Sequence, residues 1–282
     1  MSLFVASLNS GSNANCYYIG NSEDAVLIDA GLSCRETEKR MKRLGLSMHL
    51  VKAIFISHEH TDHIAGVRGI LKKWSIPVYI TQPTLRNATG LQITDELQYS
   101  FADSTAITIG TLTIMPFTKK HDAADPYSFT ISCNGITIGV FTDIGFACKN
   151  VIHHFKQCHA AFLETNYDED MLMKGSYPVS LKKRISDGYG HLSNDEALQL
   201  FLDHRPAFMS HLFLSHLSQN NNHPDIAAQL FAPHAGQTKV IVASRYRETE
   251  LFFINGDNAN QTGSLQNKTA PMKKPVQLSL FE

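Results

Sequence analysis

Apolar residues alternate with polar ones in short runs through the first half of the chain, and helical stripes interrupt them. Residues 3–8, 15–20 and 25–29 read as three strands, separated by the turns Asn-Ser-Gly-Ser-Asn and Asn-Ser-Glu-Asp. Ser33 and Glu36 have the spacing of a capping box, and Gly45 stands where a glycine ends a helix. Between them Cys34, Thr37, Met41 and Leu44 share a face, so the pattern predicts an amphipathic helix over 34–44. Residues 53–57, Ala-Ile-Phe-Ile-Ser, form a buried strand. Ile64, Val67, Leu71 and Trp74 step by three, four and three, the stripe of a helix, and residues 78–81 follow as a strand.

From 105 to 142 the chain is nearly all strand. Ile107/Ile109 and Leu112/Ile114 alternate about Gly110-Thr111, and Phe129/Ile131/Cys133 and Ile136/Ile138 flank Asn134-Gly135. Asn-Gly between alternating runs marks a type I′ hairpin, because both central residues need positive φ. A helix near 148–157, a strand at 160–165 and a helix from Asn194 to His204 come next, the last opened by a capping box from Ser193 to Glu196. A strand at 211–215, a helix from Pro224 to Phe231, and strands at 239–244 and 250–254 complete a domain over 1–255. Residues 256–276 lack periodicity and have the Asn, Gln, Gly, Thr, Lys and Pro content of a disordered tail, so 256–282 forms a second, unfolded unit.

Composition narrows the class. At roughly 100–200 residues per domain, 282 residues make one large domain or two small ones. A net charge of −1 argues against binding nucleic acid by bulk positive potential, though not against a local basic patch. No apolar run reaches the roughly 18 residues of a membrane helix, and Met1-Ser2-Leu3-Phe4-Val5 has no signal-peptide character, so no membrane partner is expected. Cys16, Cys34, Cys133, Cys148 and Cys158 form no CxxC pair and read as reduced thiols of a cytoplasmic protein. The 14 histidines prompt a search for a metal site.

That search ends at Ser57-His58-Glu59-His60-Thr61-Asp62-His63, after the strand 53–57. Extended residues two apart point the same way, so His58 and His60 can grip one ion while Asp62 and His63, at a helix start, face a second position. Imidazole with carboxylate suits Zn, Mn, Fe or Ni. The competing explanation is a solvated polar turn, which four nitrogen and oxygen donors within six residues make a poor account. Glu59 points away from the pair and reads as surface.

The pattern resembles the HxHxDH signature of the metallo-β-lactamase superfamily. Leu27-Ile28-Asp29-Ala30-Gly31 matches that family's early Asp, His121-Asp122-Ala123 its third His, Phe141-Thr142-Asp143-Ile144-Gly145 its bridging Asp, and Leu214-Ser215-His216-Leu217-Ser218 its late His, all in family order. The resemblance implies an α/β (α+β) fold, a four-layer αββα sandwich, and two divalent ions, Zn or Mn, with Fe or Ni also accommodated. The first ion falls to His58, His60 and His121, the second to Asp62, His63 and His216, with Asp143 bridging and Asp29 orienting the ligands.

Leu163-Glu164-Thr165-Asn166-Tyr167 and Gly190-His191-Leu192-Ser193-Asn194 resemble the Glu–His dyad of the nuclease branches, such as ribonuclease Z. Asp62, His191 and Glu164 thereby become the catalytic candidates, with Glu164 orienting His191. A capping or packing role is the alternative for His191. Only 47 residues lie between Asp143 and His191, which leaves no room for the added domain of larger nucleases. The remaining likeness is to the compact YycJ/WalJ-like exonuclease group, carried by residues 8–17, the His121-Asp122-Ala123 block and His216-Leu217-Ser218-Gln219-Asn220-Asn221. It departs mildly at Ala14-Asn15-Cys16, where several groups carry Gly-Asn-Cys. This likeness implies a metal-dependent phosphodiesterase, a 5′ to 3′ DNA exonuclease acting in DNA repair. A thioester, lactone or other carbonyl-ester hydrolase on the same fold is the rival, and a non-catalytic repair scaffold is a second.

Basic residues flank these motifs. Lys119 and Lys120, the run Lys182, Lys183 and Arg184, and Arg245 with Arg247 are candidates for tracking a phosphate backbone. Lys39, Arg40, Lys42 and Arg43 read instead as a solvated helix face. Tyr127, Tyr167 and Tyr189 read as core or rim. At the C-terminus Gln277, Leu278, Leu280 and Phe281 belong to a pentapeptide resembling the motif by which bacterial repair proteins bind the sliding clamp. A tether presenting two leucines and a phenylalanine to an apolar groove suits that use.

Overall fold

A computed structural model describes residues 2–256, and the tail residues Gln277, Leu278, Leu280 and Phe281 lie outside them. In chain order the elements are β1 (Leu3–Asn9), β2 (Cys16–Gly20), β3 (Ala25–Ile28), α1 (Cys34–Arg43), β4 (Val51–Phe55), α2 (Thr61–Ile64), α3 (Val67–Trp74), β5 (Val78–Tyr79), α4 (Gln82–Asn87) and β6 (Gln98–Tyr99). The second half brings β7 (Ile107–Ile109), β8 (Leu112–Thr118), β9 (Tyr127–Cys133), β10 (Ile136–Phe141), α5 (Lys149–Phe155), β11 (Ala160–Glu164), α6 (Glu169–Lys174) and α7 (Val179–Ser186). It closes with α8 (Asn194–His204), β12 (His211–Ser215), α9 (Pro224–Phe231), β13 (Lys239–Val242) and β14 (Phe252–Ile254).

Two seven-stranded sheets form, ordered β14-β1-β2-β3-β4-β5-β6 and β13-β12-β11-β10-β9-β8-β7. Each is mixed. Strands β3 to β6 run parallel, as do β10 to β13, while β14 to β3 and β7 to β10 pair antiparallel. One core lies between the sheets, where Val5, Tyr17, Ile28 and Phe55 meet Phe129, Ile131, Phe162 and Phe213. Two others seat the helices on the outer faces, around Met41, Ile54, Val67 and Ile70 and around Phe141, Phe155, Phe201 and Phe231. These are the four layers the resemblance implies. Burying each large apolar side chain contributes roughly 1.5–3 kcal/mol, so three such cores hold the sheet ends rigid.

The local signals act as expected. Asn134 and Gly135 have φ of 49° and 77°, the geometry of the I′ turn. Ser193 and Glu196 complete a reciprocal capping box. At Ser33 only half the box forms, because Glu36 turns to Arg40 at 3.0 Å. The stripe Ile64–Trp74 belongs to two helices, not one. Gly66 separates them: its amide donates to Ala30 O at 2.8 Å, and a Cβ there would fall 1.6 Å from Leu32 O. Arg40 is buried rather than solvated, donating to Leu8 O, Asn9 Oδ1 and Tyr246 O. Helices α4, α6 and α7 are additional; α7 buries no side chain, so it carries no apolar stripe, and α4 and α6 have six residues each.

Candidate metal centre

The carboxyl ends of strands from both sheets meet at one rim. Asp29 follows β3, His58 and His60 follow β4, His121 follows β8, Asp143 follows β10, Glu164 ends β11 and His216 follows β12. Ligands gather at the carboxyl ends of parallel strands because side chains from several elements converge there. Three of these turns are strained. Asp29, Asp143 and His216 have φ of 60°, 56° and 57°, a left-handed backbone that costs of order 1–3 kcal/mol per non-glycine residue and persists only where surroundings enforce it. The strain turns each side chain from its strand into the rim.

His58 Nε2 lies 3.0 Å from His60 Nδ1, which lies 3.4 Å from His121 Nε2. Asp62 Oδ2 lies 3.4 Å from His63 Nε2 and 3.6 Å from His216 Nε2. Asp143 stands between the two trios, with Oδ2 3.3 Å from His63 Nε2 and Oδ1 3.8 Å from His121 Nε2. The structure brings the seven side chains together; besides the trios His58, His60, His121 and Asp62, His63, His216, it groups His58, His63 and Asp143, and Asp143, Glu164, His191 and His216. In each trio every donor atom is within 4.8 Å of the others.

The far nitrogens are occupied. His63 Nδ1 meets Asp29 Oδ2 at 2.8 Å, His58 Nδ1 meets Ser57 Oγ at 2.9 Å, His121 Nδ1 donates to Gly190 O at 2.8 Å, and His216 Nδ1 meets Glu164 Oε1 at 2.9 Å. Such partners fix ring orientation and leave the other nitrogen for an ion. Asp29 also accepts from the Ser57 amide and hydroxyl at 2.8 Å each, so one carboxylate holds both Ser57 and the His63 ring.

Electrostatics fit divalent ions. Burial holds His58 well below the usual histidine range and His121 at about 4, so both present lone pairs. Burial disfavours charge on His216 too, but Asp143, Asp62 and Glu164 outweigh it and raise its pKa to about 10; His63 is raised likewise by Asp143, Asp29 and Asp62. Protons on these rings stand where a cation would offset the carboxylates, and a metal displaces them. Asp143 Oδ2 and His216 Nε2 are buried without a hydrogen-bond partner. Buried polar atoms are rarely left so, and two orphans facing the cluster fit a place that a cation would fill.

Comparison with known proteins agrees. The chain matches the beta-lactamase superfamily domain over residues 24–216. The chain belongs to the metallo-β-lactamase superfamily. Among superfamily members it is similar to Exodeoxyribonuclease YycJ of Bacillus anthracis, 34% identical over 230 residues, covering 80% of this chain and 87% of that one. It is 30% identical over 224 residues to Exodeoxyribonuclease WalJ of Streptococcus pneumoniae (strain D39), covering 78% and 83%. The crystal structure of the metallo-β-lactamase fold protein YhfI from Bacillus subtilis superposes with a TM-score of 0.68 at 15% identity, covering 89% of this chain and 99% of that one.

The superfamily pattern does not extend to every expected residue. Lys119 is corrected: its side chain is buried and its ammonium donates to Thr142 O at 2.6 Å, so it faces no substrate. It ties β8 to the strand end that carries Asp143. Arg184 is committed to Asp122 at 2.6 Å, and Lys182 donates to Met173 O at 2.6 Å. Lys120 and Lys183 are exposed. Glu59 is not plain surface, since its carboxylate accepts from the Ala124 amide at 2.8 Å and pins the loop after His121. Tyr127 and Tyr167 are buried, and Tyr189 is exposed beside Gly190. His191 sits with Nδ1 2.8 Å from Glu164 Oε1, its ring centre 5.3 Å from those of His121 and His216.

Asn15 was missed. Its amide donates to Asp62 Oδ2 at 2.9 Å and lies 3.1 Å from His63 Nε2, while its Oδ1 accepts from Gly11 N. Asn166 similarly donates to His216 O at 2.9 Å. Both lie inside the quoted motifs, at Asn-Ala-Asn-Cys and Leu-Glu-Thr-Asn-Tyr, but an asparagine in a turn carries no sign of a distant partner.

Proposed function

We propose that this chain is a dinuclear-metal-dependent phosphodiesterase, an exodeoxyribonuclease removing nucleotides from DNA in the 5′ to 3′ direction. The observation that carries the reading is the Glu164–His191 pair beside the two ligand trios, and relatives named exodeoxyribonucleases over most of their length add to it. Two divalent ions, Zn or Mn, would be held by His58, His60 and His121 and by Asp62, His63 and His216, with Asp143 between. They would supply a nucleophilic hydroxide at neutral pH and Lewis-acid polarisation of the phosphoryl oxygens.

The chain's residues do the rest. Asp62, whose side chain is 20% exposed and is held by Asn15, accepts a hydrogen bond from the attacking water and orients it toward phosphorus. His191, 23% exposed, has its Nδ1 fixed by Glu164, so its Nε2 is free to meet the substrate. Burial would raise the Glu164 carboxyl, but the charge and hydrogen bond of His191 and the hydrogen bond of His216 hold it at about 2, so it stays ionised. An ionised Glu164 stabilises the protonated ring of His191. His191 then delivers its Nε2 proton to the departing sugar oxygen, so the leaving group departs as a neutral alcohol.

A role in DNA repair in the cytoplasm, with Gln277, Leu278, Leu280 and Phe281 tethering the chain to the sliding clamp, belongs to the same proposal; tethering would raise residence on DNA that a net charge of −1 does not provide. No helix among the described residues is long and apolar enough to cross a membrane. The test is an assay of purified protein with Mn²⁺ on DNA labelled at each end, alongside thioester and lactone substrates. Mononucleotide release from 5′ ends is the expected result. Ester turnover without any DNA cleavage overturns the reading.

A further inference from the structure

A groove of about 920 Å³ runs along the free edge of β13, between that strand and the returning segment 244–250. One end abuts the metal centre. Ser10, which lines the groove, accepts the His216 amide at 2.7 Å, and Leu217, Ser218 and Gln219, which also line it, follow His216 directly. Arg245 stands at that end. Its guanidinium donates to Ser12 Oγ at 2.9 Å and to Gln219 Oε1 at 3.3 Å, and its carbonyl accepts from Asn13 at 3.1 Å. It packs on Gly11, where a Cβ would fall 3.0 Å from its Nη2. The same loop carries Asn15, the partner of Asp62.

Arg245, like Arg205 on the His234 and Ala235 carbonyls, is anchored without a carboxylate. Arg40, Arg43 and Arg184 each meet a carboxylate, at 3.0, 2.5 and 2.5 Å. Arg245 is half-buried, and only neutral partners hold it among the described residues. Burial pushes its pKa down. A guanidinium fixed by neutral groups keeps its fork geometry for a phosphate. Lys239 and Arg247 also line the groove. Of the two acids there, Glu248 is neutralised by Arg43, which leaves Glu250. Tyr246 is 73% exposed while its carbonyl is pinned by Arg40 at 3.1 Å, so an aromatic ring on an anchored backbone stands in water beside the cations.

We propose that this groove is a binding track for a single DNA strand leading from the metal centre, with Arg245 as the phosphate anchor nearest the site and Tyr246 as a stacking platform for a base. A cationic groove with an exposed aromatic is the arrangement that holds single strands without reading sequence. The inference rests on the nuclease reading and deepens it. It makes an extended single-stranded end, rather than a dinucleotide or intact duplex, the preferred substrate.

The test compares kcat/KM on a 5′-phosphorylated single-stranded oligonucleotide with kcat/KM on bis(p-nitrophenyl) phosphate, a small diester with no strand to lie along the groove. In R245Q the ratio of the two falls roughly tenfold, as expected for one lost charged contact. The slope of log KM against log salt for the oligonucleotide becomes shallower by about 0.7 for each phosphate contact removed, and R245Q/R247Q doubles the change. Y246A lowers the ratio with the slope kept. Lys72→Gln, an exposed cation on α3, leaves both readings at wild type. DNA cleavage by the wild type with an unchanged ratio and slope in R245Q/R247Q overturns the groove alone. Turnover of the small diester by the wild type with no DNA cleavage overturns the groove and the nuclease reading together.

Discussion

An alanine at Gly31 would place its Cβ 1.7 Å from the carbonyl oxygen of Asp62, 2.6 Å from its carbonyl carbon and 2.9 Å from the Asn15 amide nitrogen. All three are backbone atoms, so no side chain can swing aside. Ordinary contact begins at 3.4 Å, and 3.4 minus 1.7 leaves a separation of about 1.7 Å to be forced between the segments. That separation breaks the Asn15 amide bond to Asp62 O at 2.7 Å and the Gly31 amide bond to Asn15 O at 2.9 Å. Two backbone hydrogen bonds and the overpacking together cost roughly 2–5 kcal/mol. Asp62 and His63 ride on the displaced segment, whereas His58, His60 and His121 do not touch Gly31. Gly31→Ala is therefore expected to lose one of two bound ions and, since a misplacement of about 1 Å suffices, to lose on the order of a hundredfold in turnover. Calorimetric metal titration, elemental analysis after dialysis and thermal unfolding read the three effects. Gly45→Ala is the control. Gly45 has a φ of 72° with nothing within 4 Å, so it takes the backbone penalty of about 1 kcal/mol without disturbing the site. Two ions bound by Gly31→Ala with wild-type affinity and rate would refute the reasoning.

Other expectations follow from the same geometry. His191→Ala should lower kcat by roughly 10²–10⁴-fold while metal content stays at the wild-type value; loss of metal instead would make His191 a ligand. Asn15→Ala should weaken metal binding roughly 10–100-fold, because its amide holds Asp62, and equal affinity in a competition titration would count against it. Burial, with His153 nearby, holds His154 at about 4, and burial with Lys239 holds His211 at about 4. Between that value and an unfolded value near 6.5 the unfolded chain binds more protons. The stability these rings contribute is therefore full above about 6.5 and is lost as pH falls through about 4. His154→Gln should flatten the fall in urea midpoint over that window, and an unchanged slope would contradict the cause given.

What was legible in the sequence was local or carried by motif. Asn134-Gly135 and Ser193/Glu196 act through neighbours a few residues away, and both formed as expected. The seven candidate ligands were readable because five follow strand ends and Asp62 and His63 open α2 just after β4, and family order supplied the long-range pairing that spacing lacks. What was not legible depends on partners far along the chain. Gly66 breaks the predicted helix because Ala30 and Leu32 approach it. Lys119 looked like a surface cation beside Lys120 until Thr142 O was found to receive it. Arg40 lies in a basic run whose other members, Lys39, Lys42 and Arg43, are exposed, yet Leu8, Asn9 and Tyr246 take its guanidinium inward. A charged side chain in sequence shows its charge and not its partner.

The central claim is that the strand-end cluster bridged by Asp143 cleaves phosphodiesters at DNA ends. The most direct measurement is the release of mononucleotides from 5′-labelled DNA by metal-loaded wild type and Asp143→Asn side by side. The account predicts release by the wild type and loss of at least about a thousandfold in Asp143→Asn, which replaces one oxygen of the carboxylate standing between the two trios with an amide nitrogen. Release by Asp143→Asn at the wild-type rate would contradict it, as would no release by a wild type carrying its ions.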